Sequence, residues 1–319
     1  MHERSSIVRR HAENSFDLWR KPAYSNYPID QLSDHLMTVC IGAICRERPA
    51  SGDVPLIVTA SDQMLAGAFS SSDASTIKNE PVHKDWSAMM AADDFSQCVP
   101  IIDLATKYFH GRANTLQVAR TSFKKAYQQH MAERAADIVL GRYGLDMKTF
   151  RKSGKRMFTE SKFNSLCEDI DRINGDCDFL IYGFDGNAVP HVFKVKDPGK
   201  DEVYDKPGYC AIGSGCYAAG MMLSHLDQTI DCSLRETIVN VCAAKFMAER
   251  VPGVGKATFL YIKKQGSNTF GYVGIDMVEE IRAAWEKEGC PRVPSGIIDK
   301  LQHTNITFGS TETDKWRNL

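Results

Sequence analysis

Two short apolar runs near the start of the chain each adjoin a residue capable of chemistry. The first, 39–44, directly follows Thr38, and the second, 56–60, leads into Asp62. Uninterrupted apolar runs of this length are typical of buried β-strands. The stretch between them, 46–55, contains two prolines, a glycine and several charges, and it predicts a loop.

Further along the chain, runs of predicted strands alternate with runs of predicted helices. Strand-like apolar segments lie at 86–92, 179–184, 189–195, 209–212, 257–262 and 270–273. Helical spacing of apolar residues, which places Val99 and Ile138 on the apolar faces, predicts helices at 93–109, 114–140, within 145–172, and at 217–226, 233–250 and 275–288. Because strands and helices are segregated into separate runs, we expect an α+β layered domain with two sheets between helix layers, and no parallel βαβ fold.

Composition narrows the functional classes. The chain has 319 residues, of which 43% are hydrophobic and 25% charged, and its net charge is −1. Nothing in this bulk charge predicts binding to nucleic acid or a membrane surface. No apolar run is long enough to span a bilayer. Ten cysteines without a Cys-x-x-Cys pair argue against a zinc knuckle and favour free thiols in a reducing cytoplasm. We therefore expect a cytoplasmic protein without a metal or another cofactor.

Three segments are expected along the chain. Residues 1–36 are polar and carry both charge signs, and they form either an arm or propeptide or upstream sequence preceding a true start at Met37. The folded pattern predicts one domain at 37–265. Residues 266–319 are expected to form a C-terminal helical extension packed on that domain.

Four polar residues stand where predicted strands end: Thr38, Asp62, Lys78 and Ser214. If the chain began at Thr38, its own α-amine could act as general base for its hydroxyl, since such an amine has a pKa of about 7.7 to 8.0. A nearby lysine would keep that pKa low and stabilise developing negative charge, and an aspartate would hold the lysine in place. Each residue also has a purely structural interpretation. Thr38 could simply start a strand, and Asp62 could cap a turn. Lys78 could be a solvated loop charge, and Ser214 could serve only the tight Gly-Ser-Gly turn and the helix cap.

At these positions the chain resembles the proteasome β-type family of N-terminal nucleophile (Ntn) hydrolases, including its bacterial HslV-like members. The motifs are Thr-Val-Cys-Ile-Gly at 38–42, Val-Thr-Ala-Ser-Asp at 58–62, Met-Met-Ala-Ala-Asp-Asp at 89–94 and Ala-Ile-Gly-Ser-Gly at 211–215. Lys78 follows Asp62 by sixteen residues, the usual spacing in that family. The resemblance covers roughly 38–265.

The resemblance implies a four-layer αββα sandwich, threonine-dependent hydrolysis of a peptide or another amide, and assembly into a homo-oligomeric ring. It implies that Thr38 is nucleophile and, through its amine, base, that Lys78 and Asp62 tune it, and that Ser214 relays a proton. The backbone N–H of Ala92 would be an oxyanion donor. An ATPase partner is not specified by the sequence.

Two of the chain's departures from the family bear most directly on activity. Met37 precedes the threonine where the family has glycine, and the stretch 250–256 lacks the supporting aspartate and serine that the family carries before its last strand. The sequence therefore leaves two hypotheses: a threonine hydrolase with Thr38 freed by removal of residues up to Met37, or a catalytically inactive proteasome-like subunit that serves as a structural or binding module.

Overall fold

The computed structural model describes residues 38–47, 53–62, 64–67, 70–73, 78–92, 95–266 and 270–289. The predicted arm, 1–36, lies outside the described residues, as does 290–319 of the predicted extension.

Twelve strands occur in this part of the chain, and ten of them form two antiparallel five-stranded sheets. The strands are β1 (Cys40–Glu47), β2 (Val54–Asp62), β3 (Met64–Gly67), β4 (Ser70–Asp73), β5 (Asn79–His83), β6 (Trp86–Ala92), β7 (Cys177–Phe184), β8 (Pro190–Lys196), β9 (Lys200–Val203), β10 (Tyr209–Ile212), β11 (Thr258–Lys264) and β12 (Gly271–Tyr272). The first sheet has the order β10-β1-β2-β11-β12, and the second has the order β5-β6-β7-β8-β9. Strands β3 and β4 form a separate hairpin.

Seven α-helices lie between and after these strands. They are α1 (Cys98–Phe109), α2 (Leu116–Ala135), α3 (Met147–Met157), α4 (Glu160–Asp171), α5 (Cys216–His225), α6 (Leu234–Ala248) and α7 (Ile275–Ala284). Two of these helices begin at a side-chain cap. Thr115 accepts a hydrogen bond from the backbone of Val118, and Ser233 forms a reciprocal capping box with Glu236. A cap of this kind contributes about 1 kcal/mol to its helix.

Three apolar clusters separate four layers. Helices α5, α6 and α7 pack on the outer face of the first sheet through Leu223, Phe246 and Val278. Helices α1 and α2 cover the second sheet through Phe109 and Phe123. The two sheets face each other across a third cluster that includes Ile44, Leu180, Phe184 and Ile212. The predicted αββα sandwich is therefore confirmed.

Two residues placed on apolar helix faces are exposed instead. Val99 is 53% exposed because α1 begins at Cys98, after a separate 3₁₀ turn (Phe95–Gln97), so its buried face starts one residue earlier. Ile138 is 56% exposed because it lies in a π-helical turn (Ala136–Leu140), whose wider winding changes the phase and buries Leu140.

Strand β9 was not predicted. Its sequence, Lys-Asp-Glu-Val, has no apolar alternation, because it is an edge strand that pairs with β8 through its backbone.

Candidate active site

Three strand ends of the first sheet meet around Thr38. Strand β1 runs antiparallel to β2 with Cys40 opposite Ser61, so the residues before β1 lie beside Asp62 at the end of β2. The same strand is antiparallel to β10 with Cys40 opposite Ile212, which brings Ser214 to the same edge. Residues 176 positions apart in sequence thus become neighbours.

The second sheet contributes Lys78. This residue immediately precedes β5, and its carbonyl accepts a hydrogen bond of 3.1 Å from the backbone N of Met90 in β6. Its side chain is buried and crosses to Thr38 and Asp62. The lysine is therefore held at the edge where the two sheets face each other.

The hydroxyl of Thr38 lies between a cation and an anion. Lys78 Nζ donates a hydrogen bond to Thr38 Oγ1, and Thr38 Oγ1 donates one to Asp62 Oδ1. Lys78 Nζ also lies 2.6 Å from Asp62 Oδ1. In this arrangement the Lys78 ammonium can stabilise negative charge on Oγ1, and Asp62 keeps the lysine in place.

Both oxygens of Asp62 are occupied by donors. Oδ1 also accepts from the backbone N of Val39 at 3.3 Å, and Oδ2 accepts from the backbone N of Gly255 at 2.9 Å. The carboxylate is fully buried, and burying a charge is favourable only when it is paired and hydrogen-bonded. These contacts fix the orientation of Asp62 from both sides.

Ser214 lies beside the backbone of Thr38. Its Oγ accepts a hydrogen bond of 3.3 Å from Thr38 N and donates one of 3.2 Å to Thr38 O. The turn that carries it depends on Gly213, which has a φ of +87°. A β-carbon at this position would collide with the Thr38 carbonyl oxygen, so the turn requires glycine. The Gly-Ser-Gly turn therefore fits closely around the threonine.

Two further residues of the predicted site region lie nearby. Ala92 is the last residue of β6, pairs with Cys177 and is buried; the use of its N–H as an oxyanion donor stays a prediction. Cys40 is buried two residues after Thr38, and burial raises the pKa of its thiol to about 12. A thiol with such a pKa is a poor nucleophile at neutral pH, as expected of a core cysteine.

The sequence interpretation missed Gly255 and Lys245. Gly255 contributes only its backbone N–H, a group that every residue except proline has, so its residue type gave no signal. Lys245 stands in an apolar helical stretch four residues before Glu249, a pairing that sequence spacing could have indicated. Its Nζ donates a hydrogen bond of 2.7 Å to Gly255 O.

Among the described residues, no cluster of three or more His, Cys, Asp or Glu side chains has an arrangement suited to a metal ion. No helix within the same residues combines the length and the apolar character needed to cross a membrane.

Comparison with solved structures identifies the fold. An Anbu (Gly-1) mutant from Hyphomicrobium sp. strain MC1 matches with a TM-score of 0.52 and 14% identity, over 86% of this chain and 100% of that one. Anbu (ancestral beta-subunit) from Yersinia bercovieri matches with a TM-score of 0.55 and 14% identity, over 85% of this chain and 100% of that one. No protein-family model and no curated protein matches the chain.

These matches correct the resemblance drawn from sequence. The similar structures are Anbu proteins, a proteasome-like Ntn-hydrolase family distinct from the proteasome β-type and HslV-like family, so that family was wrongly indicated. The motifs quoted for it are short stretches at strand ends and one turn. Stretches this short do not distinguish one family of a fold from another. The chain shares the fold of these Anbu structures.

Proposed function

We propose that this chain is an N-terminal threonine hydrolase that cleaves peptides or another amide once Thr38 has been freed. One observation carries the proposal: Lys78 Nζ contacts both Thr38 Oγ1 and Asp62 Oδ1 within a buried cluster. A threonine that only began a strand would not need a buried ion pair at its hydroxyl, because desolvating two charges costs several kcal/mol per ion.

The mechanism requires an amine at Thr38. In the unprocessed chain this nitrogen is part of the peptide bond to Met37, so removal of the residues up to Met37 is the activating step. A free α-amine, whose pKa the Lys78 ammonium would hold below its usual value, takes the proton from Oγ1, directly or through a water. Ser214 Oγ, now 3.3 Å from Thr38 N, would orient the amine and pass its proton onward.

The remaining steps follow from the contacts of Oγ1. The oxygen attacks the substrate carbonyl, and the C–O bond forms while the negative charge moves to the carbonyl oxygen, where the Ala92 N–H would donate a hydrogen bond. The protonated α-amine then gives its proton to the leaving amine, and an ester to Thr38 remains. Water hydrolyses that ester with the same α-amine as base, which restores the free threonine.

The experiment is labelling of a chain produced with Met37 as its first residue, from which an aminopeptidase removes methionine. We expect a peptide vinyl sulfone to add one equivalent to Thr38, located by peptide mass spectrometry. Thr38→Ser should retain labelling and Thr38→Ala should lose it. Labelling that persists in Thr38→Ala would show that another residue is the nucleophile and would overturn the proposal.

A second candidate is a non-catalytic subunit of the same fold that serves as a structural or binding module. Thr38 is only 1% exposed, and the stretch 250–256 supplies a backbone donor to Asp62 without an acidic or hydroxyl side chain. This candidate predicts that the working protein retains residues before Thr38 and is not labelled.

We also propose that residues 37–265 form one domain and that 266–319 form an extension packed on it.

We propose in addition that the chain assembles into a homo-oligomer. The support is that one similar structure is described as a beta-subunit, which is a component of an assembly. Mass photometry at micromolar and nanomolar concentration tests this, and a monomer throughout would contradict it.

A further inference from the structure

The second oxygen of the Asp62 carboxylate is held by a loop that has its own buried support. Gly255 N donates to Asp62 Oδ2 at 2.9 Å. On the other side of the same residue, Gly255 O accepts a hydrogen bond of 2.7 Å from Lys245 Nζ. Gly255 is thus fixed between a buried ammonium and a buried carboxylate.

Lys245 occupies a position where an apolar residue would be expected. Its side chain is 0% exposed and projects from α6, a helix whose neighbouring residues Ala244 and Phe246 belong to the apolar core. Burial lowers the pKa of Lys245, while the charges of Glu249 and Asp62 act to raise it. An ammonium in such surroundings requires partners. Its partners are Gly255 O and Glu249 Oε1, both at 2.7 Å.

Arg282 completes the cluster from the C-terminal helix α7. Its guanidinium binds Glu249 through two contacts of 2.6 and 3.0 Å, so a single carboxylate serves two cations. The same guanidinium donates to Lys256 O at 2.9 Å and lies 4.1 Å from the centre of the Phe246 ring. Two consecutive carbonyls of the loop, those of Gly255 and Lys256, are therefore held by side-chain cations.

We propose that Lys245, Glu249 and Arg282 are positioning residues for the threonine hydrolysis proposed above. They hold the Gly255 N–H against Asp62, and Asp62 in turn holds Lys78 beside Thr38. The inference rests on the proposed function, because a carboxylate orientation matters to rate only if Thr38 reacts. It also assigns a role in the active site to a helix of the C-terminal segment.

The physical consequence concerns rotation of the carboxylate. With Gly255 displaced, Oδ2 loses its donor and the carboxylate can turn about its side-chain bond, which moves Oδ1 away from Lys78 and Thr38. A displacement of about 1 Å in a reacting group can reduce a rate about 100-fold. The Lys78 ammonium would then lie farther from the α-amine, whose pKa would rise toward its ordinary value.

The test measures the rate of Thr38 labelling by a peptide vinyl sulfone from pH 5 to 10 on the processed chain. Lys245→Met should lower the maximal rate on the order of 10- to 100-fold and move the midpoint of the profile to higher pH. The matched control is Lys263→Met, which also removes a buried lysine but at a position five residues beyond Thr258, the partner of Asp62 in β11. It should leave rate and midpoint unchanged.

Glu249→Gln separates positioning from long-range charge. Losing a negative charge would by itself lower the pKa of the amine and move the midpoint to lower pH. Loss of positioning moves it to higher pH, which is the result we expect. Arg282→Ala should act in the same direction, and it leaves Glu249 paired with Lys245.

Amide hydrogen exchange of the peptide 250–256 provides a measurement that does not depend on activity. Exchange should be faster in Lys245→Met than in Lys263→Met, in the unprocessed chain as well. If the wild type is labelled, and Lys245→Met and Glu249→Gln show the same labelling rate and midpoint as Lys263→Met, the positioning role is overturned. A wild type that is not labelled, with exchange still slowed by Lys245, would overturn the proposed function while leaving the contact to Gly255 established.

Discussion

Thr38 and Asp62 are 24 residues apart in sequence and meet at one edge of the first sheet, where the threonine hydroxyl donates to Asp62 Oδ1. The antiparallel pairing of β1 with β2 creates this contact, since the start of one strand lies beside the end of the other. Lys78, arriving from the second sheet, binds both residues. The cluster thus depends on the packing of both sheets and is a sensitive point for stability as well as for chemistry.

The buried pair of Lys78 and Asp62 allows stability and activity to be separated. Lys78→Met should lower the free energy of unfolding by about 3 to 5 kcal/mol, because it leaves an unpaired buried carboxylate. Adding Asp62→Asn should recover most of that loss, because the amide carries no charge, its oxygen can accept from Gly255 N and its nitrogen can donate to Thr38 Oγ1, yet labelling of Thr38 should stay absent.

Urea denaturation and vinyl sulfone labelling measure the two quantities. Lys264→Met, at an exposed lysine of β11, is the control and should change neither. A double variant as unstable as the single one would show that the charge of Asp62 is not what destabilises Lys78→Met.

Gly213 should tolerate no side chain because of Thr38. Gly213→Ala places a β-carbon against the Thr38 carbonyl oxygen in addition to the strain of a φ of +87°. We expect a loss of about 3 kcal/mol or more in unfolding free energy, with labelling of Thr38 reduced.

Gly111→Ala is the matched control for that variant. Gly111 has a φ of +70°, and no heavy atom lies within 4 Å of the added β-carbon. The variant therefore carries the backbone strain alone, about 1 kcal/mol. Equal losses in the two variants, with labelling intact, would contradict a close fit of the turn around Thr38.

Lys263 should make stability rise with pH on the alkaline side. Burial lowers the pKa of Lys263 from 10.5 to about 8, against the opposing charge of Asp85, and His83 is a further titratable group nearby. Between pH 8 and 10.5 the unfolded chain binds more protons than the folded chain, so the free energy of unfolding increases with pH in this window.

Lys263→Met should remove that increase and raise stability at pH 7 by up to about 3 kcal/mol, since a shift of one pKa unit corresponds to about 1.4 kcal/mol. Denaturation curves at pH 7, 8, 9 and 10 measure the slope, with the exposed Lys264→Met as control. A wild-type slope that Lys263→Met leaves unchanged would assign the pH dependence to other groups.

The sequence predicted most strands and helices because their apolar residues follow the period of the element, but it did not predict the short strands β3, β4 and β5. The exceptions have physical causes. A 3₁₀ turn before α1 and a π-helical turn after α2 change the helical phase, so Val99 and Ile138 are exposed where the spacing predicted apolar faces. Strand β9 is a polar edge strand with no periodic signal.

For the candidate site, spacing along the chain singled out Thr38, Asp62, Lys78 and Ser214, which the structure brings into one cluster. Gly255 could not be found in this way, because it contributes a backbone N–H whose position depends on Lys245 and Arg282 from two different helices. The family could not be determined from the motifs either, since each motif is only a few residues long.

The most direct test of the central claim is the N-terminus of the working protein isolated from its native host. Intact-mass measurement with sequencing of the first peptide distinguishes a chain that begins at Thr38 from one that retains Met37 or earlier residues. We predict a free threonine at position 38, which would carry the α-amine that the mechanism requires. A chain that begins at Met1 in the active preparation would contradict the account.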